Sequence, residues 1–184
     1  MNYLKRTLFL ACLLIPCLSF AQNRQPFVET VGLKNKWVDG IFKKMSRRER
    51  IAQLFMVRAH TNKGQAFEDS IAKVIQKQRV GGLVFFQGGP GRQAVLINRY
   101  QSLSKTPLLI AMDGEWGLGM RLDSTISYPY QMTLGAIQNN QLIYEMGKQI
   151  ASDFKRLGMH VNFAPDVDIN NNPKNPVIGF RSFG

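Results

Sequence analysis

Four short apolar runs recur along this chain, with apolar residues at helical spacing between them. The runs are Gln53-Leu54-Phe55-Met56-Val57, Leu83-Val84-Phe85-Phe86, Pro107 to Met112, and Met159 to Pro165. Runs of this length, bounded by glycine or proline, read as strands buried on both faces. The stripes between them are Phe67, Ile71, Val74 and Ile75, then Ala94, Ile97 and Tyr100, then Leu142, Met146, Ile150 and Phe154. Gly158 follows the last stripe as a carboxyl-terminal cap. Upstream, Trp37, Ile41, Phe42 and Met45 share one helix face. Ser46-Arg47-Arg48-Glu49 is a capping box that starts a second helix. Strand alternating with helix predicts a parallel sheet with right-handed crossovers. No internal repeat is present, and no helical pattern follows the fourth run, so the sheet reads as the first half of a larger one.

The first residues stand apart from this pattern. Lys5 and Arg6 precede an apolar stretch from Leu8 to Leu18 that is short for a membrane span, and Ser19-Phe20-Ala21 is a small-x-small cleavage site. Residues 1–21 therefore read as a secretory signal peptide cut before Gln22. An uncleaved anchor, or a lipid on Cys17, is the weaker alternative. Both cysteines, Cys12 and Cys17, lie inside this segment. The mature chain then has no thiol for a disulfide, nucleophile or metal site, and its core alone holds it together.

Residues 22–50 form a basic helical lead-in. From Arg24 to Arg50 there are eight basic and three acidic residues, whereas from Ala111 onward six basic residues face seven acidic. The net charge of +12 is thus an amino-terminal excess. It is a solvated helix face or a contact with an anionic envelope surface, and no nucleic-acid motif accompanies it.

Each strand ends at polar or glycine-rich residues, where ligands meet parallel sheets. The densest such end is Asp113-Gly114-Glu115-Trp116-Gly117-Leu118-Gly119-Met120-Arg121. Asp113 and Glu115 suggest an acid/base pair of the glycosidase type. The structural reading of Glu115 is that it pairs with Arg121 or a loop amide. Asp113 can accept hydrogen bonds from sugar hydroxyls, and Arg121 and Arg181 offer fixed guanidinium forks or loop-holding ion pairs. Trp116 is either a sugar-stacking ring or core.

Other groups read as structural. Asp166, Asp168 and Asn170 to Asn172 have the composition of a hard-cation site without its spacing, so Asx-type turns fit better. His60 and His160 have no partner at zinc spacing, and His160 reads as a satisfied core histidine. Gly88-Gly89-Pro90-Gly91-Arg92 reads as a turn, lacking the lysine of a phosphate loop, and no nucleophile elbow is present. No metal or cofactor is expected.

Five linked segments carry a resemblance to a known family: Val80 to Phe86, Pro107 to Glu115, Met120-Arg121, Asn162 to Asn170, and Asn175 to Gly184. In this order and spacing they resemble the amino-terminal half of the glycoside hydrolase family 3 catalytic barrel, over roughly Ile51 to Gly184. Glu115 and the Arg-Ser-Phe ending are similar to the β-N-acetylhexosaminidase branch. Trp116 departs from it, since many hexosaminidases have glycine there.

The resemblance implies an α/β fold, a (β/α)8 TIM barrel, with about four βα units in residues 51–184. It implies that Asp113, Arg121 and Arg181 grip the terminal sugar of a carbohydrate substrate, with Glu115, Trp116 and Asp168 in support. The family mechanism is retaining. Its nucleophilic aspartate, acid/base histidine and Lys-His motif are expected downstream of Gly184, so these residues hold no catalytic group. The implied parent is an exported, periplasmic or secreted retaining β-N-acetylglucosaminidase acting on terminal GlcNAc of peptidoglycan or chitin-type oligosaccharides. The half barrel by itself, lacking its carboxyl-terminal half, is expected to be inactive and prone to aggregate through its open edges. A β-glucosidase or β-xylosidase of the same family, and a non-catalytic exported sugar-binding or scaffold module, are the competing readings.

Overall fold

The computed structural model describes residues 27–184. The signal segment 1–21 and the first residues of the lead-in lie outside the described residues. The chain divides into two compact units between Lys43 and Lys44. The first contains helix α1 (Phe27–Thr30) and nearly all of α2 (Lys36–Lys44). Asn35 caps α2, its side-chain oxygen accepting from the Trp37 and Val38 amides.

The second unit opens with α3 (Arg47–Ala52). Ser46 accepts from the Glu49 amide, and Glu49 reaches back to the Ser46 amide at 2.8 Å, which completes the capping box. There follow β1 (Met56–Ala59), α4 (Gln65–Gln78), β2 (Gly82–Phe85), α5 (Pro90–Leu103) and β3 (Leu109–Met112). A short α6 (Gln131–Gly135), α7 (Asn140–Arg156) and β4 (Val161–Asn162) complete the series. The four strands are all parallel, in the order β1-β2-β3-β4. This is the expected α/β sheet of βα units, open at both edges.

Register explains the core. Val57, Leu83 and Ile110 align across the sheet, as do Ala59, Phe85 and Met112. Their face packs under the helices, and Leu83, Phe85, Ile110 and Met112 are fully buried against Ile71, Ile75, Ile97 and Tyr100. The other face is not fully covered: Arg58 and Leu109 are exposed, and Met56, Val84 and Val161 half-buried. Burial on both faces was the expectation from the apolar runs. The open face is the one that points inward in a closed barrel.

Several boundaries differ from the sequence expectation for identifiable reasons. β1 begins at Met56 rather than Gln53, because Gln53 caps α3 and its side chain donates to the Arg79 carbonyl at 2.6 Å. That clamp brings Gly81 so close that a β-carbon there would collide with the Gln53 carbonyl oxygen. Pro90-Gly91-Arg92 forms the first turn of α5 rather than a free turn, since proline at the first helical position gives up an amide that has no partner anyway. Leu142 is exposed, so the buried stripe of α7 is confined to Ile150 and Phe154, with Met146 half-buried. Gly158 ends α7 as expected, with a φ of 74°. The Gly158 and Met159 amides donate to the Lys155 and Phe154 carbonyls in a Schellman arrangement. β4 keeps only two residues, flanked by ladder bonds from His160 to Ile110 and from Phe163 to Met112. His160 is exposed rather than core. Its ring is nonetheless held, with Nδ1 accepting from the Ile110 amide at 3.0 Å.

Candidate functional site

The carboxyl ends of the strands converge on one side of the sheet. Asn162, at the end of β4, clamps the end of β3: its side-chain oxygen accepts from the Gly114 amide at 2.9 Å, and its amide donates to the Gly114 carbonyl at 3.2 Å. The loop after Asp113 then folds back tightly. The Gly117 amide donates to the Gly114 carbonyl, and the buried Gln131 side chain donates to the Glu115 carbonyl. Gly117 has a φ of 81°, which favours glycine, and a β-carbon there would press on the Tyr128 ring. A short 3-10 turn, Leu118–Met120, delivers Arg121 back toward Asp113.

An open cleft of about 720 Å³ lies over this loop, and Asp113, Glu115, Trp116, Arg121, Asp168 and Arg181 all line it. The structure thus brings the six sequence-predicted residues together. Arg121 Nη2 donates to Asp113 Oδ2 at 2.8 Å, and its guanidinium rests 4.7 Å from the Phe86 ring centroid. Arg121 Nε is buried without a hydrogen-bond partner among the described residues. The Nη2 bond fixes the Asp113 carboxylate at the cleft wall, where it can accept from a hydroxyl group.

Glu115 pairs with Arg181, not with Arg121. Arg181 Nε donates to both carboxylate oxygens at 3.1 and 3.0 Å, and Nη2 donates to Oε1 at 2.6 Å. Arg181 Nη2 also lies 3.1 Å from Asp166 Oδ2, an ion pair whose geometry leaves that oxygen without a hydrogen bond. The Glu115 bonds hold the guanidinium firmly in its charged form. Glu115 and Asp166 side chains are only 4% and 6% exposed, so Arg181 neutralises two carboxylates that are largely shielded from water.

Asp166 and Asp168 form an Asx turn, Asp166 Oδ1 accepting from the Asp168 amide at 3.0 Å. That bond holds the Asp166 carboxyl below its usual range, while the hydrogen bond and charge of Asp166 push the Asp168 carboxyl up. Asn172 and Asn175 make the same turn bond with Lys174 and Val177. The Asp166 side chain therefore organises the loop, and Asp168 contributes its backbone amide. Trp116 is half-buried at the cleft rim, edge-on to Tyr130 at 4.6 Å.

Asp166 and Phe86 were not singled out as site residues. Asp166 follows a strand, the signal that drew attention to Asp113, but its turn role hid the ion pair. Phe86 stands one residue beyond β2, where an aromatic ring reads as strand core.

His60 lies at the end of β1, stacked on Phe86 at 5.6 Å and edge-on to Phe67 at 5.7 Å. It is 6% exposed, and neither ring nitrogen has a partner among the described residues. Burial first, then the charges of Lys63, Arg58 and Arg121, push its pKa below the ordinary 6.5. The unfolded chain therefore binds this proton more readily than the folded one. The contribution to stability is complete above about pH 6.5 and is lost as the pH falls below it. Urea midpoints measured from pH 7 to pH 5 should fall, and His60→Phe should flatten that slope. An unchanged slope would show that His60 does not titrate there.

Residues 46–184 match the family model described as glycosyl hydrolase family 3 N terminal domain. The chain belongs to glycosyl hydrolase family 3. Among its relatives, β-hexosaminidase A of Pseudoalteromonas piscicida is 33% identical over 126 residues, covering 61% of this chain and 21% of the relative. β-Hexosaminidase LpqI of Mycobacterium tuberculosis is 28% identical over 79% of this chain and 37% of its own length. A protein of Cellulomonas fimi named β-N-acetylglucosaminidase/β-glucosidase is 25% identical over 80% of this chain and 26% of its own length. The chain thus spans between about a fifth and two-fifths of these relatives.

Solved structures share the fold. The β-glucoside phosphorylase BglX bound to 2FGlc superposes with a TM-score of 0.72 at 24% identity, over 80% of this chain and 26% of that one. NagZ from Neisseria gonorrhoeae, in complex with N-trifluoroacetyl-D-glucosamine, gives a TM-score of 0.54 at 22% identity, over 69% and 41%. The family 3 amino-terminal domain is a barrel-like α/β fold, and the four parallel strands of this chain are part of one.

Proposed function

We propose that these residues are the sugar-gripping part of a retaining β-N-acetylglucosaminidase acting on terminal GlcNAc of peptidoglycan or chitin-type oligosaccharides. The observation that carries this reading is the Asp113–Arg121 pair on the cleft wall, with a carboxylate to accept from sugar hydroxyls and a guanidinium that holds it in place. Arg181 completes the subsite wall, fixed by Glu115 and Asp166. The relatives named β-hexosaminidase support a hexosamine substrate, and the Cellulomonas fimi name supports N-acetylglucosamine. Attack on the anomeric carbon and protonation of the leaving oxygen fall to residues beyond these, in the complete gene product.

The double name of the Cellulomonas fimi relative favours a second reading, a β-glucosidase. Hydrolysis of p-nitrophenyl β-glycosides by the complete gene product separates the two. A higher kcat/KM for the GlcNAc glycoside is expected, and a preference for the glucoside would overturn the first reading. The 184-residue chain alone is expected to release no p-nitrophenol.

Export to the periplasm or medium, with cleavage near Ala21, belongs to the same proposal, as does contact of the basic lead-in with an anionic envelope surface. The supporting feature of export is the basic start, apolar stretch and small-residue end of residues 1–21. A mature amino terminus at Gln22 is the expected mass-spectrometric result.

A further inference from the structure

Arg121 lines the sugar cleft, but the groups that seat it lie outside the cleft. Its guanidinium rests 4.7 Å from the ring centroid of Phe86, just beyond β2, and His60, at the end of β1, stacks on the same ring at 5.6 Å. Neither Phe86 nor His60 lines the cleft. The backbone of Arg121 is held from the same side. The Gly88 amide donates to the Arg121 carbonyl at 3.2 Å, and the Gly88 carbonyl accepts from the Asp123 amide at 2.9 Å. The loop after β1 backs this contact, Thr61 Oγ1 accepting from the Gly89 amide at 3.0 Å. A β-carbon on Gly88 would overlap that hydroxyl. Among the described residues, the charged groups acting on His60 are Arg58 on β1, Lys63 in the loop after it, and Arg121. The ring faces α4 and the end of β2 through Phe67 and Phe86, which carry no charge. All three charges are positive, and His60 is 6% exposed with neither nitrogen partnered among the described residues.

We propose that Phe86 and His60 are positioning residues for the cleft, a stacked pair that seats Arg121 and through it the Asp113 carboxylate, and that the seat holds only while His60 is uncharged. The Phe86 face attracts the guanidinium through the ring quadrupole, and the neutral imidazole fixes the ring from β1. A proton on either His60 nitrogen adds a fourth cation to a shielded cluster that already holds three. Arg121, which shares the Phe86 ring, is then repelled from its place. Linkage is reciprocal: a sugar that needs Arg121 in place disfavours the proton, so the proton disfavours the sugar. Affinity therefore falls as the pH drops below about 6.5, the ordinary histidine value. This inference rests on the terminal-sugar reading of the Asp113 cleft and adds how residues outside the cleft control its grip.

Calorimetric titration of the complete gene product with GlcNAc at pH 7 and pH 5 tests it, with His60→Phe, Phe86→Leu and Phe86→Tyr alongside. At pH 7, Phe86→Leu is expected to bind about tenfold more weakly, while Phe86→Tyr, which keeps the ring face, stays within about twofold of the unsubstituted protein. His60→Phe keeps a flat neutral ring and should match the unsubstituted affinity at pH 7. Toward pH 5 the unsubstituted protein should lose affinity, by no more than about tenfold per pH unit for one proton, and His60→Phe should remove most of that loss. The cleft carboxylates are present in both proteins, so the difference between the two slopes belongs to His60. Equal slopes would overturn the inference, as would full affinity in Phe86→Leu or a loss in Phe86→Tyr as large as in Phe86→Leu. Absence of GlcNAc binding at pH 7 would instead sink the terminal-sugar reading and this inference with it.

Discussion

Arg181→Ala is expected to lower stability by about 3 kcal/mol, near the lower end of what loss of one partner from a buried ion pair costs. The substitution strands two carboxylates, Glu115 and Asp166, whose side chains are 4% and 6% exposed. Arg181 itself is one-third exposed, which places the effect at the low end rather than the high. In urea the midpoint should drop by about 1–2 M for a domain of ordinary cooperativity. The double variant Glu115→Gln/Arg181→Ala should recover part of that loss, because a neutral amide needs no counter-charge. A single-variant shift below about 0.5 kcal/mol, within the range of exposed ion pairs, would show that water reaches these carboxylates after all. The same variant should also loosen the 3-10 turn Gly179–Arg181, which is tied down by these bonds.

What the sequence made legible divides by distance along the chain. The capping box at Ser46 and Glu49 is a three-residue arrangement, and it forms as read. The Gly158 cap and the stripe of Ile71 and Ile75 are equally local. β1 was placed three residues early because the group that ends α3, Gln53, is committed to a carbonyl 26 residues away. His160 was read as core from its apolar neighbours, yet β4 is an edge strand and leaves it exposed. In the site, the cluster from Asp113 to Arg121 was visible because one loop carries it. The partner of Glu115 was not, because Arg181 lies 66 residues on and only the sheet topology brings the two together. Arg121, the nearer arginine, is instead taken by Asp113 and the Phe86 ring.

Asp113→Asn is expected to weaken sugar binding about 100-fold. It keeps the shape of the side chain and removes its charge. A hydrogen bond to a charged group contributes about 1.5–3 kcal/mol, and a carboxylate facing a sugar can accept more than one. The change also weakens the 2.8 Å bond to Arg121, so the side chain loses the group that holds it in place. Stability should fall less than in Arg181→Ala, since the carboxylate removed here is 29% exposed and only one ion pair is lost. A loss of affinity without a matching loss of stability separates a sugar-gripping carboxylate from a loop-holding one. Arg121→Met should reproduce most of the binding loss, because it removes the donor that holds the carboxylate.

The central claim is that the Asp113 cleft holds a terminal sugar. Calorimetric titration of the purified protein with GlcNAc, unsubstituted and as Asp113→Asn, tests it most directly. We expect saturable binding in the first and about a 100-fold weaker isotherm in the second, with a urea midpoint lowered less than in Arg181→Ala. Equal affinity in the two proteins would contradict the account.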